Sequence, residues 1–68
     1  MKRFNLKHDD ERRNRRVDAF IEAVLAVCKQ HGLSISHEDC HGAFIVVDYA
    51  EEFDKWLRDA QDGTDSQP

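Results

Sequence analysis

Apolar residues recur at helical spacing through the first half of the chain. Val17, Phe20, Ile21, Val24 and Cys28 fall on one face of a 3.6-residue period, with His31 extending the series. Leu25 and Val27 widen the stripe. Asp9, Asp10 and Glu11 stand where carboxylates favour the start of a helix, and Gly32 stands where a helix stops. The spacing predicts a long helix from Asp9 or Asp10 up to Gly32. This helix is the spine of the expected fold.

After Gly32 the period changes to two. Leu33, Ser34, Ile35 and Ser36 alternate apolar and polar, as a strand with one wet face does. A polar stretch over residues 37–42 precedes Ala43, Phe44, Ile45, Val46 and Val47, whose β-branched and aromatic content favours a second strand. A hairpin turn near Glu38 to Gly42 joins the two. Asp48 with Glu51 three positions on resembles a capping box. The helix it would open carries Tyr49, Phe53, Trp56, Leu57 and Ala60 on one face. The expected class is α+β, a single αββα domain over residues 9–62 with both helices on one face of the hairpin. Residues 1–8, with Phe4 and Leu6, form a further strand or a lid, and residues 63–68 a disordered tail. The expected core is Val17, Phe20, Ile21, Val24, Ile35, Ile45, Phe53, Trp56 and Leu57.

Composition narrows the class. The chain has 68 residues, and its longest apolar run, residues 23–28, is far too short to cross a membrane. No apolar segment follows the basic start, so no secretory signal is expected. The two cysteines do not make a disulfide framework, and reduced thiols in a cytosol are the expectation. The net charge of −4 hides an asymmetry. Residues 1–16 hold seven basic and three acidic side chains, +4, and residues 17–68 hold three basic and eleven acidic, −8.

Three motifs suggest chemistry. The run His37-Glu38-Asp39-Cys40-His41 matches H-E-x-x-H formally, but the zinc-protease motif needs both histidines one turn apart on a helix. Here it lies between strand patterns, where a polar turn is the better reading. Cys28 and His31, together with His37 and Cys40, pair soft ligands at two-residue gaps and could close a tetrahedral zinc site. Cys28, however, sits on the apolar stripe, where a thiol packs as a small hydrophobe. No metal and no other cofactor are expected. The cluster Arg12, Arg13, Arg15 and Arg16 is the third motif, with the charge to track phosphates. On a helix, Asp9 with Arg13 and Glu11 with Arg15 would form i, i+4 pairs, and no aromatic residue interleaves with the arginines. No appreciable nucleic-acid binding is expected. Nor is there a nucleophile–base arrangement, so the chain is not read as an enzyme.

The segment from Cys28 to Val47, with Tyr49 and the helix carrying Trp56 and Leu57, resembles a group of small phage and prophage proteins of unassigned activity. His41-Gly42-Ala43-Phe44-Ile45 is the most specific part, and Cys40 departs from the glycine expected there. That departure weakens Cys40 as a metal ligand. The resemblance implies expression in the cytoplasm of an infected or lysogenic bacterium, and accessory action by binding.

The reading that results is a protein-interaction module. Residues 43–47 are apolar on both parities, and two helices on one side of a two-stranded sheet leave Phe44 and Val46 uncovered. These residues are the expected contact surface, in a homodimer or toward another protein. Cover by Phe4 and Leu6 is one alternative; a nucleic-acid role for Arg12 to Arg16 and a small zinc-binding domain are the others.

Overall fold

The computed structural model describes residues 1–65. In chain order the elements are β1 (Lys2–Asn5), β2 (Asp10–Arg13), α1 (Arg15–His31), β3 (Leu33–His37), β4 (Phe44–Asp48) and α2 (Glu51–Arg58). The class is α+β. The helix–strand–strand–helix run is present as α1, β3, β4 and α2, and a second antiparallel hairpin precedes it. The two hairpins form separate two-stranded sheets.

The long helix begins at Arg15, not at Asp9 or Asp10. Asn14 ends the extended chain and caps α1, its Oδ1 accepting the N–H groups of Arg16 at 3.0 Å and Val17 at 3.3 Å. Upstream, Asn5 folds the chain back on itself. Its Oδ1 accepts from the N–H groups of Lys7 and His8, and its carbonyl from the Asp9 N–H. Asp9 closes this turn at φ 56°, a left-handed conformation that Asp tolerates better than most residues. The carboxylates that suggest a helix start therefore belong to a hairpin. At the other end Gly32 terminates α1 at φ 69°, as the sequence implies.

The α2 cap also differs from expectation. Ala50 occupies the cap position and has no side chain to satisfy the helix. Its own N–H donates to the hydroxyl of Ser34 at 3.1 Å, so the hydrogen bond comes from β3. Tyr49 instead donates its hydroxyl to Asp54 at 2.7 Å.

The fully buried apolar core is small: Ile21, Leu25 and Cys28, all on α1. Val17, Val24, Ile35, Phe53 and Leu57 are half-buried. Phe20, Ile45 and Trp56 are exposed, contrary to the expected core. The cause is the layering. Both helices pack on β3 and on each other, and neither packs on β4.

A polar network ties the first hairpin to the body. Arg3 is buried, and its guanidinium donates to the carbonyls of Arg58 and Ala60, both at 2.9 Å, and to Asp18 at 2.7 Å. Asp62 runs beside Asn5 in a parallel bridge: Asp62 N–H donates to Phe4 O, and Leu6 N–H donates to Asp62 O. The Asn14 amide donates to the Asp62 carboxylate at 3.1 Å and to the Thr64 hydroxyl at 3.2 Å. Residues 63–65 of the expected disordered tail are thus held in this network through Thr64, while residues 66–68 lie outside the described residues. Thr64 donates from both hydroxyl and backbone to Asp62, which lowers the Asp62 pKa to about 2.

The result is a flat molecule, 34 × 28 × 15 Å along its principal axes. Its radius of gyration is 12.9 Å, against about 11 Å for a compact chain of this length. It exposes 5242 Å², against about 4,400 Å² for a typical folded chain of this mass.

Candidate interaction surface

The register of the second hairpin sets the surface. Ser34 faces Val47, Ile35 faces Val46, Ser36 faces Ile45 and His37 faces Phe44. Opposed residues share a face, so Ser34, Ser36, Ile45 and Val47 lie on one side, and Leu33, Ile35, His37, Phe44 and Val46 on the other. The two serines, expected to be wet, are buried. Their small side chains let the helices approach β3, and the Ser34 hydroxyl is consumed by the Ala50 N–H. The apolar parity of the hairpin is thereby turned outward.

β4 is flanked by β3 and by no other element. Phe44 is 72% exposed and Val46 60% exposed. Neither β1 nor β2 packs on the second hairpin, and Leu6 is exposed in the turn after β1. The first hairpin is therefore not a lid over Phe44. Beyond the side chains lies a free backbone edge. Glu38 N–H donates to Ala43 O, and Tyr49 N–H to Gly32 O. Antiparallel alternation from these two bonds aims Ala43, Ile45 and Val47 at β3, and the N–H and C=O groups of Phe44, Val46 and Asp48 outward.

The turn between β3 and β4 is held by Glu38. Its carboxylate accepts the N–H groups of Cys40 and, at 2.9 Å, His41, and these bonds hold its pKa below the ordinary value. His37 ends β3, with Nδ1 2.9 Å from the Asp39 carboxylate and its ring stacked on Trp56 at 4.9 Å. His41 stands in the turn beside Glu38. The H-E-x-x-H run therefore has no helix to bring both imidazoles to one ion. Cys28 is buried on α1 and Cys40 exposed at the turn. Among the described residues no group of three or more His, Cys, Asp or Glu side chains is placed to hold a metal.

The arginine cluster is split by Asn14. Arg12 lies on β2 and forms a two-bond pair with Asp10, both at 2.7 Å. Arg13 ends β2, and Arg15 and Arg16 open α1, all three exposed. The i, i+4 pairs expected of Asp9 and Glu11 do not form, because residues 9–13 are turn and strand. An exposed aromatic does stand beside this cluster: Phe20 lines an open groove with Arg16 and Val17. Sequence reasoning placed Phe20 in the core, and nothing in its spacing distinguishes it from Ile21 or Val24.

No helix of the described residues is long and apolar enough to cross a membrane. No protein family, curated protein or solved structure matches the chain.

Proposed function

We propose that the chain is a non-enzymatic protein-interaction module, of the kind found among small phage accessory proteins, and that β4 is its binding element. The observation that carries this reading is the isolation of β4, an apolar edge strand that no element but β3 packs against among the described residues. Such edges template pairing with another strand, and soluble proteins ordinarily blunt them with charge, proline or cover. Residues 44–47 contain none of the first two.

A second copy is the partner the strand fits best. Antiparallel pairing about a two-fold axis at Ile45 sets Phe44 of one copy opposite Val46 of the other, an aromatic with a β-branched residue. The outward backbone groups of Phe44 and Val46 then pair with each other, and Asp48, the one charge in the strand, stays outside the apolar centre. The surplus of surface over a typical chain of this mass supports the same reading: it is of the order of the ~800 Å² that one partner contributes to a standard interface. The resemblance to phage proteins would put this association in the cytoplasm of a bacterial cell.

Sedimentation equilibrium tests the proposal. Wild-type protein should self-associate in the micromolar range, and Phe44→Ser should be monomeric with an unchanged circular dichroism spectrum. A wild-type monomer at high micromolar concentration, with slow hydrogen exchange at the Phe44 and Val46 amides, would mean the edge is covered from within and the reading fails.

A further inference from the structure

Two features place positive charge where folding alone disfavours it. Lys2 lies directly opposite Arg13 in the β1–β2 register, and like charges at such a pair repel. Arg15 and Arg16 occupy the first two positions of α1, against the positive end of its dipole. Among the described residues none of these four side chains forms an ion pair, and all four are exposed. Their neighbours Arg3 and Arg12 are tied to Asp18 and Asp10 instead. The four cations lie on the two segments that flank Asn14 and on the strand paired with the first of them. Arg16 also lines an open groove of about 590 Å³, in which the Phe20 ring is 68% exposed.

We propose that this end of the molecule binds single-stranded nucleic acid, with Lys2, Arg13, Arg15 and Arg16 on phosphates and Phe20, in the groove that Arg16 borders, stacked on a base. Phosphates would relieve both repulsions at once, which no group among the described residues does. An exposed aromatic face one helical turn from Arg16 selects for a strand whose bases are unstacked, over inorganic phosphate and over duplex. The expectation of no binding rested on carboxylate pairing of the arginines, on the lack of an aromatic platform and on the acidic body. The fold leaves Arg13, Arg15 and Arg16 without carboxylate partners among the described residues, keeps Arg12 on Asp10, and sets Phe20 beside Arg16. Glu11, opposite Phe4 and two residues from Arg13, weakens the field on the strand side, and residues 17–68 carry −8. Binding is accordingly confined to this end and steeply salt-dependent.

The test is fluorescence anisotropy of a labelled oligothymidylate titrated with the full chain. Four phosphate contacts on a single strand give a log–log salt slope near −2.8, so affinity should fall about fiftyfold from about 50 to 200 mM salt. The triple variant Arg13→Gln, Arg15→Gln, Arg16→Gln should bring the slope to about −0.7. Its melting temperature should not fall, since Arg15 and Arg16 oppose the helix dipole, so lost binding cannot be lost folding. Phe20→Ala should weaken binding about 5- to 100-fold with the slope unchanged. Three results would overturn the proposal: no binding at the lower salt, binding that ignores both variants, or tighter binding to vesicles of anionic lipid than to the oligonucleotide.

Discussion

The hydroxyl of Ser34 accepts the backbone N–H of Ala50 at 3.1 Å, so a serine on a strand holds the cap residue of a helix, 16 residues later. Ser34 is only 2% exposed and Ala50 is half-buried. Ser34→Ala leaves the Ala50 N–H without its acceptor. We expect a loss of about 1–3 kcal/mol, read as a lower urea midpoint at unchanged m-value. A loss within about 0.3 kcal/mol would show that the α2 cap does not depend on β3.

Arg3 holds the C-terminal end of α2 from the opposite side. It closes the carbonyls of Arg58 and Ala60 and pairs with Asp18, all from a buried position. Arg3→Met keeps the stem and removes the donors, leaving those acceptors unmatched. The expected cost is about 2–4 kcal/mol in urea unfolding. Arg3→Lys should recover only part of it, because one ammonium replaces a fork with two separated tips.

The Asp62 carboxylate gives stability a defined dependence on acid. Its pKa is about 2 in the fold against an ordinary 3.8, because Thr64, and then the Asn14 amide, donate to it. A carboxylate depressed by folding binds its proton more readily in the unfolded chain. Its contribution is therefore complete above about pH 4 and is lost as pH falls toward 2. Wild-type melting temperature should drop through that window, and the drop should be shallower in Asp62→Asn, which starts from a lower value at neutral pH.

The two thiols should report folding directly. Cys40 is exposed at the turn and Cys28 is buried in the core. One equivalent of thiol should react with an aromatic disulfide reagent within the mixing phase, and the second at a rate set by opening of the fold. In Cys40→Ser only the slow phase should remain. Two equally fast thiols would contradict the packing of α1.

The α1–β3–β4–α2 run was legible because the apolar period changes from 3.6 to two at Gly32, and because α1 ends on a glycine in the left-handed region. The exposed Phe44 and Val46 were legible for a related reason: a strand apolar on both parities needs cover on both sides. The first hairpin was not. Residues 2–13 show no apolar period, since Arg3 and Asn5 are the side chains they bury, and hydropathy does not register burial by hydrogen bonding. Asp9, Asp10 and Glu11 also imitate a helix start, and only the Asn5 turn contradicts it. The parity of β3 was read in reverse for the same kind of reason. A serine that faces inward and caps a helix looks, in sequence, like a serine that faces water. Phe20 was illegible because its burial depends on whether another element reaches it, and none does.

The strap formed by Asp62 against Asn5 reverses the order in which the chain is made. Arg3 finds its carbonyl at Ala60 across 57 residues, and the edge of β1 away from β2 has no partner for Asn5 until Asp62 has been synthesised. The hairpin of residues 2–13 is thus made before the segment that fastens it. Until then its two strands have little to hold them, since an isolated hairpin is marginal in water. Until Asp62 closes against Asn5, residues 2–13 remain a loosely held, positively charged hairpin, and they join the domain only when that bridge forms.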